Sequence, residues 1–360
     1  MRIKSIDTVN EGELLAKPIL LENGSVLVGI GVKLTSSLIK RMKELGIDRV
    51  YVEDELTSDI EPEDVISEET RQEAVAEVHK AMMQIVDGTL LKSRAADRDI
   101  GSTFRNVFNK ILQDLSRRKN VMVNLVSLHT TDGYLFHHAV NVAILAGIVG
   151  LSKGYNQQQL EELGIGALLF DVGMTRIPPE IRDKKGEYTA EERLEMQRHT
   201  EIGFDLLRSR FDISLLSAHC ALQHHERFDG LGYPRGLKGK EIHEFAQIVA
   251  IADVYDALTS VRPYRNRHKP SEAIEYLYGN GNAQFDLDLV KRFCEHVCIY
   301  PVSTTVMLNT GQIGVVSANH PGAVQRPTVR VLREPDGRAV GTPYELDLRK
   351  ELNVTIISSL

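Results

Sequence analysis

The chain reads as a mainly α protein: a helical central region, a small α/β unit before it and a small β-rich appendix after it. Two observations predict this. From Ser67 to Cys298, apolar residues recur at spacings of three and four, the period of an amphipathic helix. On either side the pattern alternates around turn pairs: Asn23-Gly24 before, Thr310-Gly311 and Asp336-Gly337 after. With 360 residues, two or three domains are expected. The boundaries read as an α/β unit over 1–55, an acidic linker and helix over 56–92, a helical domain over 93–300 and the β appendix over 301–360.

Each element has its own signal. "RIKSI" is a short strand, and "AKPILLENGSVLVGIG" a hairpin closed by its Asn-Gly pair. "TSSLIKRMKELG" opens on Ser/Thr and stops on Gly, as a helix should, and "DRVYVE" is a closing strand. From Glu53 to Thr70, nine of eighteen residues are acidic, which predicts a solvated linker without a core face. Helices follow in "RQEAVAEVHKAMMQIVDGTLL", "FRNVFNKILQDL", "FHHAVNVAILAGIVGL", "LEELGIGALLF", "IGFDLLRSRF", "ISLLSAHCALQHH" and "EFAQIVAIADVYDALTS". Strands return in "TTVMLNTGQIGVVSA", "PTVRVLREPDGRAVG" and "NVTIISS".

Composition narrows the function. Apolar residues make up 42% and charged residues 26%, ordinary for a soluble protein. No apolar run reads as a membrane span, and the first residues lack the apolar segment of a secretory signal. Three cysteines, Cys220, Cys294 and Cys298, make no disulfide framework, so the cytoplasm is the expected compartment. A formal charge of −7 argues against long nucleic acids as partners.

The chemistry is expected in the helical region. In "GALLFDVGM" a lone aspartate, Asp171, interrupts an apolar run, and Asp253 does the same in "VAIADVYDALTS". A buried carboxylate needs a compensating positive group: a helix N-terminus, an arginine or a metal ion. Histidines cluster in the same region, at His137-His138, His199 and His224-His225. Imidazole and carboxylate without thiolate suit iron, manganese or zinc. His137 and His138 point about 100° apart on a helix, so both are not expected in one site.

The run "HHERFDGLGYP" from His224, with "HAVNVA" from His138, "FDVGM" from Phe170, "RHTEIG" from Arg198, "IADVYDALTS" from Ile251 and "RPYR" from Arg262, resembles the HD-GYP group of the HD phosphohydrolase superfamily. The resemblance covers roughly Ser93 to Cys298. It implies a helical HD-type bundle around two divalent metal ions, iron or manganese, that hydrolyses cyclic di-GMP to pGpG and GMP. By that resemblance His138, Asp171, His199, His224, His225 and Asp253 are metal ligands, with Asp171 the bridging, catalytic carboxylate. Gly232, Tyr233 and Pro234 form the substrate loop, and Arg262 and Arg265 hold phosphate oxygens, as guanidinium forks do. Signalling proteins docking on the loop face are the implied protein partners.

The sequence departs from that pattern at three places. Phe170 stands where the group has histidine, Met174 where it has lysine, and Tyr134 where three-metal members have glutamate. Two functions follow: a phosphodiesterase of reduced activity, or a module that binds the cyclic dinucleotide or a partner without turnover. Elsewhere, Cys294-x-His296-x-Cys298 reads as buried free thiols, since His296 points away from both sulfurs on a helix. Asp256 either anchors Arg262 or Arg265, or caps a turn.

Overall fold

The computed structural model describes residues 1–21, 23–62, 64–86, 100–117, 134–260, 268–320 and 322–359. Strand β1 (Arg2–Ser5) opens the chain, and the hairpin β2 (Ile19–Leu20) and β3 (Val26–Val28) follows, closed by the expected Asn-Gly turn. Thr35 caps helix α1 (Ser36–Glu44) by accepting the Leu38 N–H. Strand β4 (Arg49–Val52) returns antiparallel to β1, with Ile3 opposite Tyr51. Leu15, Ile19, Leu34, Met42 and Val50 bury a small core between these elements.

The acidic stretch corrects the expectation of a solvated linker. Val65 and Ile66 are buried in the helical core, and Ile60 packs on Val315 and Leu332 near the C-terminus. Asp59 pairs with Arg330, and Lys17 reaches Asp64 at 2.6 Å. Three apolar side chains are enough to pin a segment whose carboxylates face water or a cation.

Helices α2 (Glu68–Val86), α3 (Ile100–Ser116), α4 (Tyr134–Ser152) and α5 (Gln157–Leu169) build the first half of the helical region. A tight 3-10 turn, Val172–Arg176, follows, then α6 (Pro179–Arg182), α7 (Ala190–Gln197), α8 (His199–Arg208) and α9 (Leu215–Gln223). Helices α10 (Glu244–Thr259), α11 (Pro270–Gly279) and α12 (Leu287–Cys294) complete it. Helix α5 packs on α4 and α9; α9 also meets α8 and α10, and α10 returns to α4. Being covered on several sides, the second half of α5, from Leu163 to Leu169, is apolar all round, which explains the run that ends at Asp171.

Helix α4 has the length and mean hydropathy of a membrane span over Leu135–Ser152, more than the sequence reading allowed. In the fold, 83% of that stretch is buried inside the protein, and it carries His137, His138 and Asn141. It is the central helix of the core.

Strands β5 (Thr305–Leu308), β6 (Ile313–Ala318), β7 (Thr328–Arg333), β8 (Ala339–Asp347) and β9 (Ile356–Ser359) form one antiparallel sheet in the order β8-β7-β6-β5-β9. Val306, Leu308, Val316, Val329 and Leu348 are its core. The Ile3 N–H donates to the Ser303 carbonyl at 3.0 Å, tying the two ends of the chain together. Cys294 and Cys298 are buried free thiols, and burial pushes both up to about 12.

Candidate metal centre

Histidine placement follows from helix ends. The last carbonyls of a helix lack intrahelical donors. His224, directly after α9, sets its Nδ1 3.0 Å from the carbonyls of Cys220 and Ala221. His199, at the start of α8, sets its Nδ1 2.6 Å from the Met196 carbonyl. An Nδ1–H that donates to a carbonyl leaves Nε2 with its lone pair. Those two Nε2 atoms face each other at 3.3 Å, and each lies 3.5 Å from Asp171 Oδ1. His225 joins them: the three histidines each offer a ring nitrogen, all within 4.8 Å of one another.

Asp171 reaches this cluster because Gly173 has no side chain. A Cβ at Gly173 would fall 2.0 Å from the His199 carbonyl oxygen and 2.7 Å from the Gly203 nitrogen. The 3-10 turn therefore lies directly on α8, bringing the carboxylate to the imidazoles. Lone pairs that face each other beside a carboxylate repel unless a cation sits among them. The donor set, three imidazole nitrogens and one carboxylate oxygen, fits a divalent ion of the iron, manganese or zinc class.

The electrostatics lower two of the three imidazoles and raise the third. Burial, then the charges on neighbouring histidines, holds His225 well below its ordinary value; burial also lowers His199 against the pull of Asp171. Burial opposes charge on Asp171, but His224 and His199 outweigh it and hold the carboxyl below the usual range. For His224 the hydrogen bond to Asp171 outweighs burial and raises it.

His138 and Asp253 bond to each other beside this group, within reach of its charges. His138 Nε2 is 2.9 Å from Asp253 Oδ1, and its Nδ1 is 2.7 Å from Asp256 Oδ2. Burial resists a charge on His138, but the two carboxylates outweigh it and raise the ring to about 9. Asp256, whose role the sequence left open, also accepts from Asn141 Nδ2 at 2.9 Å, and Asn141 accepts from Arg71 at 2.9 Å. Phe170, fully buried, lies edge-on to both His138 and His224, with ring centroids 5.6 and 5.0 Å away. His137 turns elsewhere, its Nε2 3.1 Å from the Leu21 carbonyl.

The loop of Gly232, Tyr233 and Pro234 is folded back onto the histidine pair. Gly232 packs where a Cβ would lie 2.3 Å from the Arg227 nitrogen, and the Tyr233 N–H donates to the His225 carbonyl at 3.2 Å. The Tyr233 ring stacks on His225, and the Tyr233–Pro234 peptide is cis. Burial raises the Tyr233 phenol, keeping it protonated. Glu226, unnoticed in the sequence, is buried and accepts the N–H groups of Arg235 (2.8 Å) and Leu237 (2.9 Å). Its signal was its position straight after the histidine pair; its partners lie nine and eleven residues on. Met174 is half-buried in the 3-10 turn. Arg262 and Arg265 lie outside the described residues, as does the side chain of Tyr134.

Residues 115–289 match the HD domain family model, and residues 305–360 match that of a KOW domain associated with the HD domain. A cyclic di-GMP phosphodiesterase of Pseudomonas aeruginosa is 34% identical over 226 residues, 63% of this chain and 54% of that protein. The cyclic di-GMP phosphodiesterase response regulator RpfG of Xanthomonas campestris is 41% identical over 143 residues, 39% of this chain and 38% of its own length. This chain carries an HD domain of the HD-GYP type. A further relative of the HD-GYP chain, a 3'3'-cGAMP-specific phosphodiesterase of Vibrio cholerae, is 31% identical over 200 residues, 55% of this chain and 38% of that protein. The HD-GYP chain spans about half or less of the length of these relatives.

Proposed function

We propose that this chain is a metal-dependent phosphodiesterase that opens a cyclic dinucleotide, cyclic di-GMP foremost, to the linear pGpG, with GMP following a second cut. The observation that carries the reading is the meeting of His199, His224, His225 and Asp171 beside the Tyr233 loop. A bound divalent ion supplies a water of lowered pKa and neutralises phosphoryl charge. The chain's own residues do the rest. The Met196, Cys220 and Ala221 carbonyls fix two imidazoles in the ligating tautomer. Tyr233 offers an aromatic ring to a base beside those imidazoles, and Arg262 and Arg265 hold phosphate oxygens. The pair of iron or manganese ions that the resemblance implies would draw its second member from His138 and Asp253, which here bind each other.

The same reading takes the protein to be cytoplasmic, with the loop face open to signalling partners. It treats 93–300 as the catalytic unit, flanked by the units over 1–55 and 301–360 and joined by 56–92.

Phe170 favours a second reading, binding without turnover, because a buried phenyl ring offers neither ligand nor proton where the group has histidine. Purified protein loaded with Mn²⁺ and incubated in excess over cyclic di-GMP separates the two. Appearance of pGpG, analysed by chromatography, supports the enzyme; binding with no linear product after prolonged single-turnover incubation overturns it. Parallel incubation with 3'3'-cGAMP tests the substrate.

A further inference from the structure

We propose that the turn between α11 and α12, residues 280–285, positions the loop of Gly232, Tyr233 and Pro234, and that Asn282 is the positioning residue. The proposal rests on the reading of that loop as the substrate loop and deepens it. None of the motifs that carry the resemblance includes this turn.

Arg227, Phe228 and Asp229 lead from the histidine pair into the loop. The Phe228 N–H donates to the Gln284 carbonyl at 3.1 Å, and the Asp229 N–H to the Ala283 carbonyl at 2.8 Å. Where the chain returns, the Gly239 N–H donates to the Phe228 carbonyl at 3.0 Å. Phe228 is therefore held between the turn and the returning chain. Asp229 carries the contact onward. Its Oδ1 accepts the Leu231 N–H at 3.0 Å, and its carboxylate holds the Arg227 guanidinium at 2.7 and 3.1 Å. Gly232 and Tyr233 come next in the chain.

The turn is a firm support because its own backbone is tied many times over. The Asn280 carbonyl accepts the N–H groups of Ala283 (3.2 Å), Gln284 (2.9 Å) and Phe285 (3.2 Å). The Asn282 N–H donates to the Phe285 carbonyl at 2.7 Å, and the Phe285 side chain is buried in the helical core. At the other end of α11, the His268 N–H donates to the Leu258 carbonyl at 2.8 Å. Helix α11 thus ties the turn, and through it the base of the loop, to α10, the helix of Asp253.

Asn282 sets the conformation of the turn. Its φ is +61°, in the left-handed region. Asparagine enters that region at small cost, alanine at more, and a β-branched residue at most. Its Oδ1 also accepts the Leu287 N–H at 3.4 Å, at the start of α12. The residue is exposed, so it can be exchanged without opening the core. A side chain that resists this φ shifts the Ala283 and Gln284 carbonyls, and the base of the loop moves with them.

The test compares the full chain with Asn282→Gly, Asn282→Ala and Asn282→Val. Glycine adopts the left-handed conformation freely, so Asn282→Gly is the conservative variant. Hydrogen exchange is followed at the Phe228 and Asp229 amides. Cyclic di-GMP binding is measured by calorimetry on Mn²⁺-loaded protein, and bound Mn²⁺ by elemental analysis. Asn282→Gly is expected to match the parent, with exchange at the two amides faster in Asn282→Ala and fastest in Asn282→Val. The Kd is expected to rise about 5-fold or more in Asn282→Val, with bound Mn²⁺ unchanged. Asn282→Ala, the milder change, decides if Asn282→Val does not fold. Parental exchange at both amides in the alanine and valine variants overturns the proposal. So does parental affinity in a variant whose two amides have opened. Faster exchange spread over the whole core, without preference for these amides, also overturns it, since the turn would then act on stability alone. A parent that binds no cyclic di-GMP overturns the substrate reading instead, and the order of exchange rates still decides whether the turn holds the loop.

Discussion

Tyr233 lies stacked on His225, with ring centroids 4.8 Å apart and planes inclined by 26°. The tyrosine thus rests on one of the three clustered imidazoles, so that under the proposed function base recognition and phosphate chemistry share one support. Tyr233→Ala is expected to weaken cyclic di-GMP binding by about 1–3 kcal/mol, the scale of one base stacked on an aromatic ring, or roughly 5- to 150-fold in Kd. Tyr233→Phe keeps the ring and should bind nearly as the parent. Calorimetry on the metal-loaded protein reads the difference; equal losses in both variants would remove stacking as the cause.

Glu226 fastens the far end of that loop through the Arg235 and Leu237 N–H groups. Glu226→Gln turns one acceptor into a donor facing an N–H, at a cost of about 1–3 kcal/mol in loop order. The expected result is a raised KM with the metal content unchanged, and faster hydrogen exchange at those two amides. Exchange as slow as in the parent would show that another contact holds the loop.

Gly173 sets the distance between the 3-10 turn and α8. Gly173→Ala forces a Cβ against the His199 carbonyl, where the space is already filled. A destabilisation of about 1–3 kcal/mol is expected, with weaker metal retention because Asp171 and His199 move apart. Urea unfolding and Co²⁺ titration measure the two effects. Full stability in the variant would mean that the turn can shift without cost.

The chain's departures from the group pattern predict a gain. Phe170→His with Met174→Lys replaces a hydrocarbon and a neutral thioether by a ligand and a cation. Restoring groups aimed at developing charge is expected to raise turnover by about 10²–10³-fold, the usual scale for one such donor. Single-turnover rates on cyclic di-GMP decide; an unchanged rate would place the limitation outside these two positions.

Acid should loosen the contact between the acidic stretch and the C-terminal sheet. Hydrogen bonding to Arg330 holds the Asp59 carboxyl at about 2, against an ordinary value of 3.8. The folded value is the lower one, so the pair's contribution is fully present above about pH 4 and is lost as pH falls toward 2. Asp59 is solvent-exposed, so the effect is small. Urea midpoints for the parent and Asp59→Asn should differ at pH 6 and converge near pH 2; a constant difference would rule out the ion pair as its source.

The elements were legible in the sequence because their causes are local. The Asn23-Gly24, Thr310-Gly311 and Asp336-Gly337 turns, the Thr35 cap and the three-and-four spacing of the helices each depend on neighbours a few residues away. The histidine and aspartate motifs were legible too, since residue type and order are enough to carry a resemblance. The acidic stretch misled because composition averages over side chains, while Ile60, Val65 and Ile66 meet the cores.

What the tertiary structure alone decided is how the charged groups pair. Asp171 and Asp253 look alike in sequence, each a carboxylate in an apolar run, yet one lies 3.5 Å from two imidazoles, His199 and His224, and the other is bonded to His138. Lone-pair direction depends on which carbonyl or carboxylate engages the other ring nitrogen. Those partners come from helices separated by as many as 118 positions along the chain. Packing brings them together, and no local pattern encodes that choice.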